Sequence, residues 1–156
     1  MLAKSTSTVA SNPKDTEMTT IKGTEKSDLL YDGPDATTIK SKGGFDVFIF
    51  NDLAADTIRD FNAVKDTIVV NHFAFAPVVG SFVTDRGETL PVYAPKPDDW
   101  SLVYGGRNAA DDPGFAYHKA SGRLWYDADG EGGQDAVLIA NLGERLKLTD
   151  DNLVVG

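Results

Sequence analysis

Apolar residues along this chain fall in short runs: VFIF (47–50), TIVV (67–70), SLVY (101–104), RLWYD (123–127) and AVLIA (136–140), with Gly, Asp and Asn between them. Short β-branched and aromatic runs bounded by turn residues read as strands. No stretch of eleven residues carries a convincing 3.6-residue amphipathic period, so the prediction is an all-β chain. ERLKLTDDN (144–152) supplies at most one short turn of helix.

Individual segments refine that prediction. DTIRDFNAVKDTIVV (56–70) reads as two strands around an NAVKD turn, with Ile58, Phe61, Ile68 and Val70 as the apolar positions. AYHKASGRLWYDADGEGGQDAVLIANL (116–142) reads as a β-meander of three strands joined by an ASG turn and a Gly-rich turn. Between them, residues 71–115 are predicted to be strands with an elaborated loop. There PVYAPKPDDW holds three prolines in seven residues, which excludes helix and central strand. Its aromatics Tyr93, Trp100 and Tyr104 are expected to pack beneath the loop, with contact to a partner as the other reading.

A nine-residue frame organises the part before residue 50. Placing Asp46 of SKGGFDVFI at the sixth position puts DGPDATTIK and GTEKSDLLY in the two preceding frames, and Leu30, Ile39 and Phe48 then share the eighth position. Large apolar residues at this spacing suit a turn followed by a short strand, repeated. Asp28 and Asp46 hold the sixth position in two copies and Thr37 in the middle one, while Gly23, Gly33 and Gly44 hold glycine slots.

If two frames complete one turn of a β-roll, residues 18 apart stack, and Asp28 and Asp46 are 18 apart. Two stacked carboxylates plus turn carbonyls supply oxygens of the kind Ca2+ prefers, and glycines such as Gly23 and Gly44 allow the backbone to present them. Thr24 and Lys26 oppose this, since an ammonium beside the ion repels it. The competing expectation is a turn that keeps its shape without the ion.

A second candidate is the turn DADGEGGQD, with Asp127, Asp129 and Glu131 at alternate positions and Gly132 sixth, as in an EF-hand loop; the twelfth position is Leu138 in place of Glu. A plain polar hairpin turn is the preferred reading, and a weak surface calcium site the other.

Taken in order, GTEKSDLLY, GGFDVFIF, DTIRDFNAVKDTIVV, AYHKASGRLWYDADGEGG, AVLIANL and LTDDNLVV resemble the C-terminal region of RTX-type (haemolysin-type) calcium-binding proteins over most of residues 23–155. The resemblance implies a short, degenerate parallel β-roll stack, a β-solenoid with repeats over 23–49, continuing into a small antiparallel β unit over 50–156. It further implies a protein exported by a bacterial type I system and folding around calcium outside the cell. Ligands carried over are Asp28 and Asp46, with carbonyls of the turns 23–28 and 41–46. Such proteins usually carry many clean repeats, whereas this chain has about three poor ones.

Composition narrows the remaining possibilities. With 156 residues, 41% of them hydrophobic, the chain can bury one core, assigned to residues 21–156. Residues 1–20, rich in Ser, Thr, Lys and Asp, are expected to form a flexible or partner-ordered polar arm, with no signal peptide and no transmembrane segment. A net charge of −9 argues against nucleic acid or anionic lipid as partner. Absence of cysteine excludes disulfides and thiolate metal sites, and His72 and His118 form no short metal-binding motif. No G-x-S-x-G, Walker loop or HExxH is present, so no catalytic residue is assigned. The favoured function is a non-catalytic secreted calcium-binding module that folds or caps a β-roll on calcium binding outside the cell; the alternative is a structural or attachment component of a larger extracellular assembly that keeps the fold and needs no calcium. In the second, the arm and the 71–115 loop make contacts with a protein partner or another copy.

Overall fold

The computed structural model describes residues 19–52, 54–75, 78–93, 100–107, 112–130 and 135–156. Most of the arm and the Gly-rich turn bearing Glu131 and Gly132 lie outside the described residues. Strands begin at Thr19, inside the span assigned to the arm.

Among the described residues the fold is all-β apart from one helical turn, His72–Phe75, and a 3-10 turn, Asp150–Asn152. The first six strands are β1 (Thr19–Lys22), β2 (Leu29–Tyr31), β3 (Thr37–Lys40), β4 (Val47–Phe50), β5 (Asp56–Ile58) and β6 (Thr67–Val70). They alternate between two sheets: β1, β3 and β5 are parallel neighbours in one, and β2, β4 and β6 in the other. One pass through both sheets is termed a rung.

Register follows from side-chain burial. In the first sheet Ile21 stands beside Ile39 and Ile39 beside Ile58. In the second, Leu30, Phe48 and Ile68 form the matching column. Strands β4 and β6 alternate half-buried and buried positions, so Phe48, Phe50, Ile68 and Val70 all enter the core. A slip of one residue would turn these side chains outward, and the apolar period thereby holds the register. The nine-residue spacing of Leu30, Ile39 and Phe48 is thus the distance from one sheet to the other. DTIRDFNAVKDTIVV falls outside the nine-residue frame, yet its two strands join the same alternation as a third rung, with a longer turn between them.

The remaining strands are β7 (Val78–Val83), β8 (Thr89–Tyr93), β9 (Ser101–Tyr104), β10 (Gly114–His118), β11 (Arg123–Asp127), β12 (Val137–Asn141) and β13 (Leu153–Val155). The meander β10–β11–β12 is antiparallel, as its turns predict. Its last strand lies parallel to β5 and its first parallel to β9, giving one seven-stranded sheet in the order β1-β3-β5-β12-β11-β10-β9. Strand β13 adds to β6 and completes the four-stranded sheet. Residues of rungs and meander share one core, with Phe115, Tyr117, Leu124, Tyr126 and Ile139 packed among Leu30, Ile39 and Phe48.

Strands β7 and β8 form a hairpin of their own, and Pro91 stands in this two-stranded ribbon, where a missing N–H costs least. Trp100 packs edge-on against Phe115, at the margin of the core. Tyr104 is half exposed, donates its hydroxyl to the Leu148 carbonyl and lies under the Lys119 ammonium.

Candidate functional site

Carboxylates recur where strands begin and end, and what their oxygens accept defines the site. Three aspartates precede the strands of the four-stranded sheet: Asp28 before β2, Asp46 before β4 and Asp66 before β6, all buried. Asp28 donates its backbone N–H to Asp46 Oδ1 (3.0 Å), and Asp46 donates its own to Asp66 Oδ1 (3.1 Å). Asp66 Oδ2 accepts from the Asn62 amide (2.8 Å) and Asp28 Oδ2 from that of Thr24 (2.5 Å), four residues earlier in each case. A buried N–H is costly without an acceptor, and a carboxylate at this position supplies one to the rung before it. Asn152 carries the pattern on from β13, donating its side-chain amide to the carbonyls of Asp66 (2.8 Å) and Ala63 (3.0 Å).

Other corners repeat the device. Asp56 Oδ1 accepts the Thr37 amide (2.7 Å), and Asp60 accepts those of Ser41 and Lys42 (both 2.9 Å). Asp32 accepts the Asn51 amide (2.8 Å), and the Asn51 side chain in turn accepts from that of Asn71 (3.2 Å). Thr37, which stands in the aspartate slot of the middle repeat, is therefore a donor in the ladder.

Burial acts on these groups. It raises the Asp66 and Asp32 carboxyls above the ordinary range. Asp56 is pushed up to about 7, by burial first, with the charges of Asp32 and Asp52 adding to it. Its Oδ2 is buried without a hydrogen-bond partner, which agrees with a carboxyl held neutral through much of the acid range.

The glycines have a steric reason to be where they are. Gly44 has φ +122°, and a Cβ there would lie 2.5 Å from the Lys26 carbonyl carbon in the turn stacked on it. At Gly23 a Cβ would meet the Ser41 carbonyl oxygen at 2.6 Å and Asp28 Oδ2 at 2.8 Å. Close stacking of turns 18 residues apart requires both, with or without a metal.

As a fit test for calcium, Asp28 and Asp46 are brought together as their spacing predicts. In this arrangement Asp28 Oδ2 accepts the Thr24 amide and hydroxyl, and Asp46 Oδ1 accepts the Asp28 amide. Among the described residues no three His, Asp or Glu side chains gather as an ion-holding group.

Asp127 and Asp129 lie apart from this ladder, at the end of β11. Asp127 Oδ1 accepts the amides of Gly130 (2.9 Å) and Asp129 (3.3 Å), a local turn-stabilising pair, with Gly130 at φ +75°. Burial raises the Asp127 carboxyl. Among the histidines, His72 is buried, and His118 Nδ1 faces Ser121 Oγ at 2.9 Å in an exposed turn.

Sequence reading singled out Asp28 and Asp46 but missed Asp32, Asp56, Asp60, Asp66 and Asn152. Two signals for them exist. Strands β1 and β3 are both TTIK, 18 residues apart and in register, and side chains with a carboxylate or amide recur at 18 to 20 residues around each corner. No protein-family model matches the chain, and no curated protein matches it either. Among the described residues no helix is long and apolar enough to cross a membrane.

Proposed function

We propose that this chain is a non-catalytic scaffold: a short, degenerate β-roll of RTX type, closed by an antiparallel β unit, that holds its shape without calcium. It would serve as a structural or attachment component of a larger extracellular assembly. The observation that carries this reading is the hydrogen-bonded carboxylate ladder, in which Asp46 and Asp66 receive the amides of Asp28 and Asp46. In a calcium-loaded roll the aspartates staple successive turns through an ion; here the N–H groups of the preceding rung do that work directly. Alternation of parallel strands between two sheets supports the roll, and the resemblance to RTX proteins supports export and an extracellular setting.

The test is calorimetric calcium titration of the chelator-treated full chain beside Asp28→Ala/Asp46→Ala, with circular dichroism in chelator. The expected result is no saturable heat and an unchanged β spectrum on calcium addition. Saturable binding that disappears in the double variant would overturn the proposal in favour of a calcium-triggered module.

A further inference from the structure

Rungs and meander meet in the first sheet along one short seam, where β12 lies parallel to β5 and pairs Ala140 with Asp56 and Asn141 with Thr57. One residue of that seam is a carboxylic acid. Asp56 is fully buried; its Oδ1 accepts the Thr37 amide of β3 at 2.7 Å, while its Oδ2 is buried with no hydrogen-bond partner. Asp66, at the opposite corner, engages both oxygens with amides, those of Asp46 and Asn62.

The surroundings of Asp56 suit a neutral acid and not an anion. A buried carboxylate needs donors or a counter-charge for both oxygens, whereas the protonated group loses far less on leaving water. The charges that act on Asp56 are those of Asp32, just after β2, and Asp52, in the turn leading to β5, and both are negative. On one side β12, VLIAN, carries no charged residue. On the other, β3 offers the Thr37 amide, and its lysine, Lys40, is exposed three residues further along. No cation from either neighbouring strand therefore stands ready to balance an ionised Asp56.

We propose that Asp56 is a proton-operated latch on this seam: with its carboxyl neutral the rungs and the meander are held together, and with it ionised β5 and β12 part locally so that water reaches the charge. In the open seam the carboxyl regains its ordinary value of 3.8, against about 7 in the closed one, so the closed form holds a proton that the open form releases. Opening thus becomes easier as pH rises from about 4 to 7 and levels off above that. Two residue pairs are a short contact to part, and such an opening is smaller than unfolding because the shared apolar core stays in place. The latch goes beyond the scaffold reading and does not depend on whether the chain binds calcium.

The experiment is amide hydrogen exchange followed by NMR in chelator, between about pH 5 and 8, on the full chain and on Asp56→Asn, with the intrinsic pH dependence of exchange divided out. Asparagine keeps an oxygen for the Thr37 amide and cannot ionise. The expected result is that amides of Asp56–Ile58 and Val137–Asn141 lose at least about tenfold in protection between pH 5 and 7 and little above it, while those of β10, which pairs with β9 and β11 away from the seam, keep theirs. In Asp56→Asn the seam amides are expected to hold constant protection. In the unsubstituted chain, the side-chain carboxyl carbon of Asp56 should titrate over the range in which its seam levels off, a reading independent of how the variant folds. Seam protection that does not change with pH overturns the proposal, as does a fall shared equally by β10, a fall that persists in Asp56→Asn, or a carboxyl that titrates near about pH 4.

Discussion

At the scale of single residues, Asp46 and Asp56 differ in what they contribute. Asp46 accepts a buried amide from the rung before it, so Asp46→Ala leaves the Asp28 N–H without its acceptor. The expected loss is about 1–3 kcal/mol in urea unfolding performed in chelator, with Asp46→Asn losing less because its carbonyl still accepts. Asp56 adds a pH dependence. Its carboxyl ordinarily titrates at 3.8 and in the fold at about 7, so the native state holds a proton that the unfolded chain has already released. Stability from this group therefore falls as pH rises from about 4 to 7 and is level above that. Burial raises it most, the Thr37 amide pulls it back, and the charges of Asp32 and Asp52 raise it further. Burial raises Asp32, Asp66 and Asp127 in the same direction. Thermal unfolding should show Asp56→Asn flattening this slope; an unchanged slope would show that Asp56 does not carry it.

At the scale of elements, strands were more legible than their partners. Leu30, Ile39 and Phe48 at nine-residue intervals placed β2, β3 and β4, and the three runs of the meander placed β10 to β12. Membership of β5 and β6 in the alternation was hidden because the turn between them is longer, which breaks the nine-residue frame while leaving the sheet register intact. Pairing of β5 with β12 could not be read at all, since nothing local to either strand encodes so distant a partner. The role of the aspartates was open for a chemical reason: a cation and a backbone N–H both call for the same carboxylate oxygen, and spacing alone does not distinguish them. Among the described residues the hairpin β7–β8 pairs with no other strand, and a lone two-stranded ribbon is marginal in water. Within residues 19–156, limited trypsin treatment is expected to cut first after Arg86, in its exposed turn, while the rest of that span stays folded. Earlier cleavage among the lysines of the rungs would show that the hairpin is held more firmly than its contacts indicate.

At the scale of the whole molecule, rungs and meander are joined in the first sheet by only two residue pairs, Ala140 with Asp56 and Asn141 with Thr57. They nevertheless share one apolar core, so a single cooperative transition is expected. Both tryptophans, Trp100 and Trp125, pack on the meander side, whereas backbone ellipticity reports all the strands. Denaturant curves from tryptophan fluorescence and far-ultraviolet dichroism should therefore coincide. Separate midpoints would mean that the two parts melt independently.

The pairing of β13 with β6 also has a consequence in time. Asn152 bonds to Asp66 across 86 residues, and Leu153–Val155 finish the sheet that β2 began. While the polypeptide is being synthesised, the earlier rungs exist long before their last neighbours do, with apolar columns such as Phe48 and Ile68 lacking their cover. Contacts so far apart in sequence form slowly, and the waiting intermediate is sticky. A chain of this design does best to remain unfolded until it is whole, and a passage through a membrane or a chaperone's grip would give it that delay.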